Sequence, residues 1–352
     1  MPLQDEYTAV KNSKKSLMHV LSMSVLLGLS STSFAELIVN SSPGGSNSAS
    51  LNWSSEDVSQ FMNADEPSPQ GSTSVTTTIR QQNSPAATLK PKTVQIINST
   101  SYVNQPSVNA RAALVMDAQT GEVLFSKNTN TALPIASITK LMTAVVTSDA
   151  RLNMSEEITL QPIDFIGPKK ASSTLRAGDK MNRAEVLLFA LMKSENPAAA
   201  ALARTYPGGK PAFVAAMNAK ARELGMHSAK FYESTGLDAR NVASARDLGI
   251  LVSAASQYGL IRQFSTTPTY DFNLGYRVLK SNNTNALVRN GGWNINLSKT
   301  GFINEAGRCV VMHATVNQRP AIVVLLGASD TQSRNNDATR LFSWLNQLPK
   351  NI

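Results

Sequence analysis

Leu133-Pro134-Ile135-Ala136-Ser137-Ile138-Thr139-Lys140-Leu141-Met142-Thr143-Ala144 is the stretch from which the rest of the chain can be read. Pro134 suits the entry to a first helical turn, and Leu141, Ala144 and Val145 recur at helical spacing, so one buried helix is predicted from about Ile135. Residues three apart on a helix are neighbours, with Cβ atoms about 5–6 Å apart, which brings the Lys140 amine within reach of the Ser137 hydroxyl. Ser137 also falls in the first turn, where backbone N–H groups lack partners and the helix dipole favours developing negative charge. A serine hydroxyl is a poor nucleophile until a base takes its proton. A lysine can be that base when burial or a second cation lowers its pKa. By itself the pair is weak evidence and reads more readily as an ordinary amphipathic helix start.

Two later segments change the weighting. Ser194-Glu195-Asn196 follows the apolar run 186–192, and Lys299-Thr300-Gly301 follows a strand-like run, 293–297. Ser-x-x-Lys, Ser-Asp-Asn and Lys-Thr-Gly, in that order, form the signature of serine β-lactamases and penicillin-binding proteins. Here the order holds, and each piece sits in its expected context of helix start, post-helix loop and strand. Glu195 replaces the aspartate of the middle motif, a position whose side chain is not the reacting group.

At these residues the chain resembles the low-molecular-mass penicillin-binding proteins of the D-alanyl-D-alanine peptidase family, and within it most resembles the endopeptidase branch. The likeness is carried by residues 133–144, by Ser-Glu-Asn-x-Ala-Ala-Ala at 194–200, by Asn-Val-Ala-Ser-Ala-Arg-Asp-Leu at 241–248 and by Trp-Asn-Ile-Asn-Leu-Ser-Lys-Thr-Gly-Phe at 293–302. It spans roughly 109–348. The resemblance implies a serine hydrolase that cuts D-alanyl bonds in peptidoglycan stem peptides, preferentially at cross-links, and that is acylated by β-lactams. It also implies the roles. Ser137 attacks, Lys140 takes its proton, and Ser194 relays a proton to the leaving amine. Asn196 orients Lys140 and binds the substrate amide, while Lys299 is expected to lower the Lys140 pKa and draw in a carboxylate. Thr300 offers a hydroxyl, Gly301 lets substrate approach the strand, and the Ser137 and Phe302 N–H groups form an oxyanion hole. No metal or cofactor is expected. The alternatives are a D-alanyl-D-alanine carboxypeptidase, a β-lactamase and a non-catalytic wall-binding scaffold. Nothing between Ser194 and Lys299 resembles the glutamate loop with which class A β-lactamases activate water.

Composition narrows the field further. The formal charge of +9 over 352 residues is spread along the chain, in no run longer than a pair, which suits an anionic cell-wall polymer and carries no nucleic-acid motif. Cys309, the only cysteine, excludes an intramolecular disulfide and a cysteine zinc site. Beyond the leader only His227 and His313 occur, and both are read as structural, which fits a lysine base.

Residues 1–35 read as a secretory leader: Lys11, Lys14 and Lys15, then the apolar core 17–29, then Ser33-Phe34-Ala35 as a cleavage site. The core is shorter than the ~20 residues a spanning helix needs, so no membrane anchor is expected and the mature chain is placed in the periplasm. Residues 36–107, rich in Ser, Thr, Asn, Gln and Pro, read as a flexible tether. The catalytic domain is assigned to 108–352. Its pattern predicts an α/β (α+β) fold like that of the serine β-lactamases and transpeptidases. A hairpin at 112–125 and a meander at 295–328 form an antiparallel sheet. A mostly helical lobe is inserted at 152–261, a polar loop follows at 278–290, and a final helix packs on the sheet.

Overall fold

The computed structural model describes residues 97–98 and 104–349, all within one compact unit, Ser46–Ile352. The expected leader, and the expected tether up to residue 96, lie outside the described residues. The chain enters with a two-residue strand, β1 (Ile97–Asn98), that falls inside the stretch expected as tether. Two longer strands follow, β2 (Ala112–Asp117) and β3 (Glu122–Lys127). At the other end of the fold are β10 (Asn294–Ile303), β11 (Gly307–Val316) and β12 (Arg319–Ala328). These six make one sheet in the order β1-β3-β2-β12-β11-β10, antiparallel except where β1 runs parallel to β3.

The apolar runs of β2 and β12 explain their central position. Every residue of β2 is buried, because both faces of the sheet are covered. Ala113, Val115, Val323 and Leu325 point toward a cluster with Leu341, Phe342 and Leu345 of the last helix, Thr331–Leu345. Leu114, Met116, Ile322 and Val324 point the other way, into a larger core shared with the helical lobe. A strand buried on two sides needs continuous hydrophobicity, not alternation. β10 takes the edge, hydrogen-bonded only to β11, so its outer side faces the helical lobe.

The lobe lies between β3 and β10. A short strand, β4 (Leu133–Pro134), leads into a 3₁₀ turn, Ala136–Ile138, and helix α1 (Thr139–Asp149). The helix that was expected to begin near Ile135 therefore opens with a 3₁₀ turn. All of α1 except Asp149 is buried, its polar Lys140 and Thr143 included, which find hydrogen-bond partners inside the fold. Beyond it come β5 (Glu157–Thr159), a 3₁₀ turn (Pro162–Phe165), β6 (Lys180–Asn182) and α2 (Arg183–Leu188). Asn182 starts α2 by accepting the Glu185 N–H at 2.8 Å, with the Glu185 carboxylate answering onto the Asn182 N–H. α2 runs on into a π turn, Phe189–Lys193, and breaks at Ser194.

Then follow α3 (Asn196–Arg204), α4 (Gly209–Leu224), β7 (Val242–Ala243), α5 (Ala245–Ala255) and α6 (Gly259–Thr266). Where a polar loop was expected at 278–290, the chain forms β9 (Val278–Asn282), paired with β8 (Thr269–Asn273), and a short helix, α7 (Ala286–Asn290). The helix Thr331–Leu345, α8, closes the fold. No helix among the described residues is long and apolar enough to cross a membrane.

Candidate active site

Three chain segments converge on Ser137. The 3₁₀ turn supplies the hydroxyl, and α1 holds Lys140 one turn on. The break between α2 and α3 supplies Ser194 and Asn196, and the edge strand β10 supplies Lys299, Thr300 and Gly301. The approach is tight. Ala136 adopts φ 48°, a left-handed conformation uncommon for a residue with a side chain. A Cβ on Gly301 would come to 3.0 Å from both the Ile135 carbonyl oxygen and the Ser137 nitrogen. Only a glycine lets β10 pass this close to the nucleophile's peptide.

Lys140 is fully buried. Its Nζ lies 3.0 Å from Ser137 Oγ, 2.7 Å from Asn196 Oδ1 and 2.6 Å from the carbonyl oxygen of Thr235. Burial lowers its pKa to about 7, against the opposing pull of Glu233 and Glu195. The sequence pointed to Lys299 as the cause of that lowering; the leading cause is desolvation. The amide and backbone oxygens can only accept, so they take two N–H groups of a neutral amine. Its lone pair is then left facing the serine hydroxyl.

Lys299 stands elsewhere in the site. It is buried and donates to Ser194 Oγ at 2.8 Å and to the Thr300 carbonyl oxygen at 2.9 Å. Burial, then Lys140 and then Arg334 push its amine well below the usual lysine range. Arg334, on α8, is itself buried; desolvation and Arg308 lower it to about 10, so it keeps its charge at neutral pH. Thr300 Oγ1 donates to Thr284 Oγ1 at 2.7 Å. The Phe302 ring is part-exposed under the Arg308 guanidinium, 3.7 Å from it.

The helix break is built with care. Ser194 takes φ 63° as the left-handed cap of the π turn, and its N–H bonds the Phe189 carbonyl. Pro197 then sits in the opening turn of α3, where its missing N–H costs nothing. Between them Glu195 is buried and turned away from Ser137. Its carboxylate accepts Ser173 Oγ at 2.6 Å, the Thr174 N–H at 3.1 Å and the Thr174 hydroxyl.

The segment 233–241 was not foreseen. Its Thr235 carbonyl receives Lys140, and Ser234 O receives Thr143 Oγ1 at 2.7 Å. The Glu233 carboxylate gathers the N–H groups of Thr235, Gly236 and Asp238 and the Asn241 side chain. Gly236 has φ +86°, the one sequence signal that a forced turn lies here. His313 is half-buried in β11 with its pKa lowered by burial, and Cys309 is a buried thiol raised to about 11.

The arrangement is equipped for acyl transfer at a serine with lysine as base, and the fold carrying it recurs in solved structures. The Streptomyces K15 DD-transpeptidase matches with a TM-score of 0.65 and 27% identity, over 70% of this chain and all of the other. A D-alanyl-D-alanine carboxypeptidase from Mycobacterium tuberculosis matches with a TM-score of 0.65 and 25% identity, over 72% and 97%. The chain belongs to the S11 peptidase family, the D-alanyl-D-alanine carboxypeptidases, whose model matches residues 99–330. Among curated proteins, a D-alanyl-D-alanine endopeptidase of Pseudomonas aeruginosa is 48% identical over 68% of this chain and 78% of its own length. One from Escherichia coli is 41% identical over 74% and 84%.

Proposed function

We propose that this S11 peptidase hydrolyses D-alanyl bonds in peptidoglycan, with a preference for the cross-links between stem peptides, through an acyl-enzyme on Ser137. The observation that carries the reading is the Lys140 amine, buried, held at about 7 and aimed at Ser137 Oγ. Lys140 takes the hydroxyl proton as Ser137 Oγ bonds to the D-alanyl carbonyl carbon. Developing charge on the carbonyl oxygen falls between the Ser137 and Phe302 N–H groups; losing one such donor typically costs on the order of 10²–10³ in rate. Collapse breaks the C–N bond, and the leaving amine takes a proton through Ser194, which Lys299 holds by a hydrogen bond. Asn196 fixes Lys140 and receives the substrate amide. Thr300, the Lys299 amine as a hydrogen-bond donor and the positive field of Arg334 meet a carboxylate on the leaving side. Water then hydrolyses the ester by the same relay in reverse.

Penicillin would enter the same path and stall at the ester. The endopeptidase preference rests on the printed names of the relatives from P. aeruginosa and E. coli. The leader-like residues 1–35 support a periplasmic site of action. The test is kcat/KM on purified cross-linked dimer against pentapeptide monomer. A higher value on the dimer supports the endopeptidase reading. A higher value on the monomer replaces it with a carboxypeptidase.

A further inference from the structure

Beside Ser137 opens a cleft of about 600 Å³, within the range of small-ligand sites. Asn196 and Thr235, both partners of Lys140, stand at its inner end. None of its lining residues comes from β10, and Ser194 is not among them. Since Ser194, Lys299 and Thr300 serve the leaving group, the cleft runs from the opposite, acyl side of the bond.

Its walls are aliphatic and aromatic: Ile166, Pro197, Ala200, Val214, Tyr232 and Leu237. Tyr232 and Ile166 are exposed, at 44% and 68%, at an apolar rim. The charges are unequal in what they are free to do. The Asp164 carboxylate is held by two hydrogen bonds from Arg204, each 2.8 Å. The Glu233 carboxylate is spent on backbone N–H groups. Lys169 is ion-paired with Glu305. Lys210 Nζ meets only a carbonyl oxygen, that of Ile163, at 3.3 Å. The cleft thus offers apolar walls and one cation not engaged by a carboxylate.

We infer that this cleft is an acyl-side subsite. It takes the side chain of the residue preceding the attacked D-alanine, an aliphatic chain ending in a carboxylate, with Lys210 as counter-ion. This rests on the reading of Ser137 as the nucleophile toward D-alanyl bonds. A carboxylated diamino acid has the required form: methylenes for the walls, an anionic end for Lys210. A diamino acid lacking that carboxylate would place an ammonium beside Lys210 and be disfavoured.

The experiment uses three synthetic cross-linked peptides identical on the leaving side. They differ only in the residue X of the donor X-D-alanyl segment, which is diaminopimelate, lysine or alanine. For the wild-type enzyme kcat/KM is expected to be about tenfold higher with diaminopimelate than with lysine, the size of one charge-assisted contact. Lys210→Gln should collapse that ratio toward one. Val214→Trp, which fills the cleft, should lower kcat/KM for diaminopimelate and lysine toward the alanine value. Wild-type cleavage of all three at equal kcat/KM overturns the subsite while leaving the D,D-peptidase reading in place, as does an unchanged ratio in Lys210→Gln. Failure of the wild type to cleave any of them, together with no adduct from benzylpenicillin, overturns both.

Discussion

The Lys140 amine and the Thr235 carbonyl oxygen stand 2.6 Å apart, the shortest of the three contacts that surround this nitrogen. A backbone carbonyl can never donate, so with Asn196 Oδ1 it fixes where the amine's protons point. The remaining direction is Ser137. The base is oriented by two oxygens from segments remote in sequence, and burial supplies the neutral form.

The pH dependence follows from that amine. With its pKa near 7, kcat/KM should fall about tenfold per pH unit below 7 and level off above it, as the neutral fraction saturates. The linkage to stability has the same direction. The folded-state pKa lies below the ordinary 10.5, so between about 7 and 10.5 the unfolded chain holds more protons. The cost of burying this amine shrinks as pH rises, so that stability increases with pH across that window. Lys140→Arg should abolish acylation, because a guanidinium does not deprotonate in proteins. Near-normal acylation by that variant, followed by stopped-flow with a chromogenic β-lactam, would place the base elsewhere.

Ser137→Ala tests the nucleophile directly. Intact mass spectrometry of the wild type after benzylpenicillin should show one adduct, and the variant should show none. An adduct persisting in Ser137→Ala would move the reactive group to another residue.

Gly236→Ala should disable the site from a position that touches no substrate. A Cβ there would lie 1.9 Å from the Ala136 carbonyl oxygen and 2.9 Å from the Ser137 nitrogen, at a φ of +86° that disfavours side chains. The 3₁₀ turn must move, and the Ser137 hydroxyl with it. The expected result is a loss of more than about 1 kcal/mol in denaturant unfolding, with acylation lowered by more than the unfolded fraction explains. Wild-type acylation in a folded variant would refute the crowding argument.

Asn182→Ala removes the cap of α2 and should cost about 1 kcal/mol, within a range of roughly 0.5–2, because the Glu185 N–H loses its acceptor. Activity per folded molecule should be preserved, since the helix still breaks at Ser194. Urea unfolding with penicillin titration of the folded fraction separates the two effects.

Much of the site was legible because three of its segments carry side-chain chemistry at fixed spacing. In the fold Ser137, Lys140 and Asn196 form one hydrogen-bonded group, and Ser194, Lys299 and Thr300 form another beside it. The fourth segment escaped because its contribution is a backbone carbonyl, which Thr235 supplies as any residue could. Arg334 escaped for a different reason: it lies on α8, far along the chain, and comes near Lys299 only through folding. The β8–β9 hairpin was hidden by its composition. Thr269–Asn273 and Val278–Asn282 are too polar to announce strands, and their order depends on Phe272 stacking on Phe189 of the π turn. The central strands and the capped helices were plain from their apolar runs and from Asn182 and Ser244.

The pairing of β2 with β12 sets a timetable for the enzyme's birth. Asp117 lies opposite Ala321 in the register, so the central strand waits for a partner about two hundred residues downstream. A chain emerging from the ribosome has Ser137 and Lys140 early and Lys299 only near its end. Until β10 arrives and is pinned through β11 and β12, the serine has neither its strand nor the relay beyond Ser194. The hydrolytic centre is therefore completed only once β10 is in place, and a copy lacking it carries the nucleophile without the means to use it.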